Sequence, residues 1–239
     1  MKKDIINVIA RKASKCSLVK IIMHKPYQAY KRKQLQKKID NFHRNGFEAL
    51  VIFDKCLSEH GYKYTLAFGS LLGAIRERDF IPHDDDIDVT MWIEDYSPDL
   101  VTALESVGFR HKCTFSVEND EYAKEDTFEF KGVLLDIFYI YGSSEKDSYC
   151  CYFEIQPGCS SRYSSVKKYG GLATRKIYLS ANKDTVRVPF KGIEVPVPTN
   201  YDEVLKKVFG DNYMTPIPGW THEDFSEKMD NWLCDYKEY

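Results

Sequence analysis

No apolar run in the 239 residues approaches the ~20 that a membrane span requires, and near the N-terminus the longest is Ile21-Ile22-Met23. An uninterrupted secretory core of roughly 7–15 apolar residues is missing too. There is no CxxC pair and no GxxxxGK[ST] phosphate loop, and His222-Glu223 is followed by Ser226 where a zincin needs a second His. Internal repeats and low-complexity runs are absent. These gaps set aside membrane-spanning proteins, P-loop enzymes, zincins and solenoids. The seven cysteines (16, 56, 113, 150, 151, 159, 234) are odd in number and scattered, which predicts reduced thiols in a cytosol. A four-thiolate zinc site from Cys113, Cys150, Cys151 and Cys159 is the alternative, but the vicinal Cys150-Cys151 pair suits tetrahedral closure poorly.

The composition, 43% hydrophobic and 29% charged, is that of a folded chain with one full domain and an appendage. A net charge of −2 conceals a split: residues 1–40 sum to +10 and residues 41–239 to −12. The expected organisation is therefore a basic arm over 1–40 and a single domain over 41–239. Within the arm, residues 4–23 read as a helix that interleaves Ile5, Ile6, Val8, Ile9, Leu18 and Val19 with lysines and arginines, ended or kinked by Pro26. That pattern suits a helix lying on an anionic membrane leaflet, which places the protein peripherally at the inner face of a membrane. Packing on its own body or on a partner subunit is the alternative, and nucleic acid is not expected.

Apolar spacing predicts a helix over about 40–60, a strand from Tyr62 to Phe68, and a turn at Gly69-Ser70 into a helix ending near Arg76. Strands follow at Asp86–Trp92, 109–118, 126–130 and 133–141, with a helix from Ser97-Pro98 through Val107 between the first two. Residues 143–176 read as a long polar loop. A hairpin (186–190 and 193–197) and two helices capped at Thr199 and Thr221 complete an α/β or α+β chain.

The chemistry concentrates in Pro82-His83-Asp84-Asp85-Asp86-Ile87-Asp88. On a strand Asp86 and Asp88 share one face, about 6.6 Å apart along the chain, and Asp84 has the same parity. Carboxylates so placed can converge on a pair of divalent ions and repel each other without one. Asp136 is the lone charge in Val133–Ile140, and burying it requires a cation or hydrogen-bond partners. These hard oxygen ligands favour Mg²⁺ or Mn²⁺. Gly69-Ser70 at a strand-to-helix turn can bring backbone amides to a phosphate, and Arg76 offers a fork for phosphate oxygens. Arg162, Lys167, Lys168, Arg175 and Lys176 are further candidates for covering donor phosphates or an anionic acceptor.

The runs Ala67-Phe68-Gly69-Ser70-Leu71-Leu72-Gly73-Ala74-Ile75-Arg76 and Phe80-Ile81-Pro82-His83-Asp84-Asp85-Asp86-Ile87-Asp88-Val89 resemble the LicD/fukutin-related phosphotransferases, as do Leu135-Asp136-Ile137-Phe138, Phe190–Pro198 and the segment from Tyr201 to Tyr213-Met214. The resemblance covers roughly 45–218. It implies a nucleotidyltransferase (polymerase-β-like) mixed sheet with flanking helices. Its implied activity transfers a phosphorylated alcohol or amino-alcohol, phosphocholine-like, from a CDP-linked donor to a hydroxyl of a cell-surface glycan, releasing CMP. Carried over by position, Asp86, Asp88 and Asp136 hold two Mg²⁺ or Mn²⁺ ions, Gly69 and Ser70 hold donor phosphate, and Asp136 or Asp84 takes the hydroxyl proton. A true nucleotidyltransferase that deposits NMP and a non-enzymatic membrane adaptor are the competing readings.

Overall fold

The computed structural model describes residues 17–216 and 226–239. Its first element, α1 (Ser17–His60), buries Phe42, Ala49, Leu50, Phe53, Cys56 and Leu57 as one helical stripe, and Gly61 follows in the left-handed region. From residue 28 to 38 the side chains are largely exposed. The helix continues through Pro26 and across residue 40, so it does not end at the proline. Residues 4–16 of the expected arm helix lie outside the described residues.

The chain continues as β1 (Thr65–Leu66), α2 (Phe68–Arg76), β2 (Asp86–Trp92), α3 (Asp99–Ser106), β3 (Arg110–Val117), β4 (Ala123–Phe130) and β5 (Val133–Ile140). Then come β6 (Tyr149–Glu154), α4 (Arg162–Tyr169), β7 (Leu172–Tyr178), the hairpin β8 (Thr185–Phe190) and β9 (Ile193–Pro198), α5 (Tyr201–Phe209) and β10 (Glu227–Glu238). Eight strands form one sheet in the order β1-β2-β5-β4-β3-β10-β7-β6, mixed because β2 and β5 run parallel while the other pairs are antiparallel. A bridge between Tyr141 and Tyr149 draws β6 back toward the end of β5, so the sheet curls.

Alternation decides the layers. Ile87, Val89 and Met91 of β2 and Val133, Leu135, Ile137 and Tyr139 of β5 enter the main core, where α1, α2 and α3 also bury their apolar faces. A smaller cluster of Cys113, Phe115, Val117, Ala123, Cys151, Leu172 and Cys234 forms where β3, β4, β6, β7 and β10 turn toward each other.

Four expectations are corrected. Residues 143–176 hold strand, helix and strand rather than a loop; Ser161 caps α4 by accepting the Ser164 N–H, and Gly170 ends it at φ 82°. Residues 227–238 form a strand, not a helix, because pairing with both β3 and β7 outweighs local preference; the expected cap at Thr221 lies outside the described residues. The strand before α2 shrinks to two residues. At α5 the N-cap is Asn200 rather than Thr199, whose hydroxyl instead accepts from Asn182 Nδ2 at 2.8 Å.

Candidate active site

Strand β2 turns Asp86 and Asp88 away from the core that receives Ile87 and Val89. Its parallel neighbour β5 places Asp136 directly beside Asp88 in register. As a result, one carboxylate oxygen from each of Asp86, Asp88 and Asp136 lies within 4.8 Å of the other two. Burial, then the charges of Asp136, Asp85 and Asp84, pushes the Asp86 carboxyl up to about 7. Burial raises Asp88 well above the usual range, with Asp86 and Asp136 adding to it. Asp136 rises to about 6 through burial, opposed by the Thr127 hydroxyl and the charge of Arg162. Its Oδ1 is buried without a hydrogen-bond partner among the described residues.

An orphaned buried oxygen among three mutually repelling carboxylates is the donor set that a hard divalent cation relieves, so Mg²⁺ or Mn²⁺ fits the residues present. Among the described residues this is the one group of three or more acidic, His or Cys side chains arranged to hold a metal ion. The cysteine alternative does not converge: the Cys159 thiol instead donates to the Ser164 carbonyl, while Cys113, Cys150 and Cys151 are buried thiols raised by burial.

The turn into α2 is tied to this group. Ser70 Oγ accepts the Asp88 N–H at 3.0 Å, and the Ala67 N–H donates to the Asp88 carbonyl at 3.0 Å. Between them Phe68 takes φ 43°, a left-handed conformation that a bulky residue adopts only under constraint. A Cβ on Gly69 would lie 2.9 Å from Asp84 Oδ2, so Asp84 stands directly over the helix N-terminus. On Gly73 a Cβ would meet the Asp79 carbonyl at 2.6 Å; this glycine serves the packing of the loop that leads to the acidic run. Burial pushes Asp84 up to about 6, against the nearby charge of His83.

These groups line a cleft of about 480 Å³. Asp84, Asp86, Asp88, Asp136, Gly69, His83 and Arg76 form its polar side, with Arg76 Nη1 reaching the Tyr213 carbonyl at 3.4 Å. Phe68, Leu72, Phe138, Tyr152, Ile177, Phe209 and Tyr213 make the apolar wall. Tyr152, Ile177 and Phe209 were not legible as site residues because they arrive from strands and a helix far along the chain. Glu125 on β4 is a further buried carboxyl, raised by burial and by the charge of Asp136, that does not line the cleft.

The predicted basic group is not brought to the cleft. Arg162 lies over the rings of Phe115 and Tyr236, at 4.8 and 5.2 Å, and acts on Asp136 only through its charge. Lys167 and Lys168 are exposed on α4, with Lys168 over the Tyr169 ring at 4.7 Å. Arg175 pairs with Glu154 at 3.3 Å, and Lys176 sits 3.7 Å from the Tyr149 ring centre.

Residues 61–200 match the family described as LicD/FKTN/FKRP, nucleotidyltransferase domain, which covers more than half of the chain. The chain belongs to the LicD/FKTN/FKRP family. It is 28% identical over 180 residues to a mouse protein named ribitol-5-phosphate transferase FKTN, and 25% identical over 180 residues to the human protein of that name. Each alignment covers 75% of this chain and 35% of the relative, so the chain spans about a third of the length of these relatives. All three carboxylates, the α2 turn and Asp84 fall within the LicD/FKTN/FKRP match, while Phe209 and Tyr213 lie beyond it.

Proposed function

We propose that this chain is a phosphotransferase that moves a phosphorylated alcohol or amino-alcohol from a CDP-linked donor to a hydroxyl of a glycan and releases CMP. The observation that carries this reading is the convergence of Asp86, Asp88 and Asp136 at one side of a cleft in a family of named transferases. The core is taken as the polymerase-β-like nucleotidyltransferase fold, supported by α2 leading into an Asp-x-Asp strand with a parallel third-carboxylate strand beside it.

Asp86, Asp88 and Asp136 would hold one or two Mg²⁺ or Mn²⁺ ions, which supply charge neutralisation at the donor pyrophosphate and acidify the acceptor hydroxyl. The chain's own residues do the rest. The acceptor oxygen bonds to the phosphorus distal to cytidine as that phosphorus loses its bond to the CMP oxygen. The hydroxyl proton passes to a carboxylate; Asp84 lines the cleft outside the three-carboxylate group, which leaves it available. Arg76 orients phosphate, and the apolar wall excludes water. The basic arm, with Lys31, Arg32, Lys33, Lys37 and Lys38 on a continuous helix, holds the cleft near an anionic membrane and a membrane-linked acceptor.

A panel of CDP-alcohols with a glycan acceptor and Mg²⁺ tests the reading. Release of free CMP, with the phospho-alcohol on the acceptor, is expected. Nucleotide found on the acceptor would replace this reading with NMP transfer.

A further inference from the structure

The strands that carry the three carboxylates are each entered through a short connection, and both connections are held by the same part of α1. On the β2 side, His43 Nε2 donates to the Pro82 carbonyl at 3.1 Å, and the Phe42 ring packs edge-on against Phe80 with centroids 4.6 Å apart. Lys38 Nζ reaches Asp85 Oδ2, the residue before Asp86, at 3.3 Å. On the β5 side, Asn41 Nδ2 donates to the Lys131 carbonyl at 3.1 Å. Glu48 takes both of its oxygens to Lys131 Nζ, at 2.6 and 2.8 Å. Gly132 has φ 79°, and a Cβ there would lie 3.1 Å from Asn41 Nδ2, so the turn and the helix are fitted to each other.

Neither His43 nor Asn41 lines the cleft. Each bonds a backbone carbonyl a few residues upstream of a carboxylate: Pro82 before Asp86, and Lys131 before Asp136. A hydrogen bond to a carbonyl fixes the height of the strand entrance relative to the helix. Two such bonds from one rigid helix, only two residues apart, fix the two entrances relative to each other. The spacing of three carboxylates drawn from two paired strands depends on the β2–β5 ladder together with that relation.

We infer that α1 is a clamp on the carboxylate group, with His43 and Asn41 as positioning residues that set Asp86 and Asp88 against Asp136. This rests on reading the three carboxylates as a divalent-cation site. The bonds to Pro82 and Lys131 thus act on metal affinity and reaction rate rather than on the fold, in the manner of residues that orient metal ligands without touching the metal. Lys38 adds an exposed ion pair of small, salt-sensitive effect.

The test titrates the whole 239-residue chain with MnCl₂ by calorimetry, alongside His43→Ala, Asn41→Ala, the conservative His43→Gln, and Lys55→Ala as a control on the same helix, where Lys55 pairs with Glu59. The two alanine variants should bind Mn²⁺ about tenfold more weakly. His43→Gln, whose amide can still donate to Pro82, should return to within about twofold of the unaltered chain. Hydrogen exchange on the metal-free alanine variants should quicken at residues 80–88 and 131–136 and not across the core. Unchanged Mn²⁺ affinity in folded alanine variants overturns the clamp, as does an equal loss in Lys55→Ala. Failure of both alanine variants to fold also overturns it, because the contacts then belong to the fold. If the unaltered chain binds no Mn²⁺, the cation-site reading itself fails, an outcome distinct from equal binding by all variants.

Discussion

Asp136 lies on a strand whose core-facing side chains are apolar but for the Tyr139 hydroxyl, and burial pushes its carboxyl up to about 6, with one oxygen lacking a hydrogen bond among the described residues. At neutral pH such a group is charged at a cost, and each pKa unit of elevation corresponds to ~1.4 kcal/mol. Asp136→Asn keeps the shape and removes that charge and its repulsion toward Asp86 and Asp88. The metal-free variant should therefore be more stable than the unaltered chain by roughly 2 kcal/mol at pH 7, seen as a raised thermal midpoint. Added Mn²⁺ should raise the midpoint of the unaltered chain and leave that of the variant unchanged. A variant less stable without metal would show that the carboxylate has a structural partner here. This conflict was readable from one charge inside Val133–Ile140. The reason for Gly69 was not: the sequence suggests room for a phosphate, whereas the neighbour in place is the Asp84 carboxylate, brought over by a loop whose course is a tertiary matter.

At the scale of elements, β4 shows how a strand can bury charge on its core side without a metal. Asp126 accepts hydrogen bonds from the Thr114 and Tyr139 hydroxyls, the latter at 3.0 Å, lies 3.1 Å from His111 Nε2, and has Lys124 at 3.6 Å. Burial alone would raise its carboxyl, yet the His111 bond, the Lys124 charge and Thr114 bring it below the ordinary range. The sign follows: a depressed folded value contributes stability above the unfolded pKa of about 3.9, lost as pH falls through the folded value. Asp126→Asn should cost about 2 kcal/mol near pH 7, because it weakens the bonds from Thr114, Tyr139 and His111, while Lys124 keeps Asp120 at 3.1 Å. It should also flatten the stability loss below about pH 4, which denaturant midpoints across pH would detect. Elements with a strong local pattern, the alternation of β2, the apolar run of β5 and the turn residues of α2 and the β8–β9 hairpin, were legible even though β2 and β5 pair across 48 residues. Strands β6, β7 and β10 were not. Their pairs join residues 149–178, 227–238 and 110–117, and long-range pairing rather than local pattern makes them strands.

For the molecule as a whole, the charge split acquires a direction. The negative excess of the body gathers partly at Asp84, Asp85, Asp86, Asp88 and Asp136. The positive arm is not a loose tail at residues 17–38 but the leading half of a 44-residue helix whose later turns hold the carboxylate-bearing strands. A helix rises ~1.5 Å per residue, so residues 31–38 sit within about 20 Å of His43 along a rigid rod. Basic side chains near an anionic leaflet contribute about 1 kcal/mol each at physiological salt, and the attraction decays within a Debye length. Reversing Arg32, Lys33 and Lys37 to Glu leaves Lys38, Asn41 and His43 in place. The triple variant should lose most of its recovery with phosphatidylglycerol vesicles in flotation, and the unaltered chain should lose the same recovery at high salt. Neither should bind phosphatidylcholine vesicles. Mn²⁺ affinity and CMP release with a water-soluble acceptor should be unchanged in the variant. Vesicle recovery that persists after the reversal would detach residues 28–38 from membrane contact, while a parallel fall in Mn²⁺ affinity would mean that the two halves of the helix are not independent.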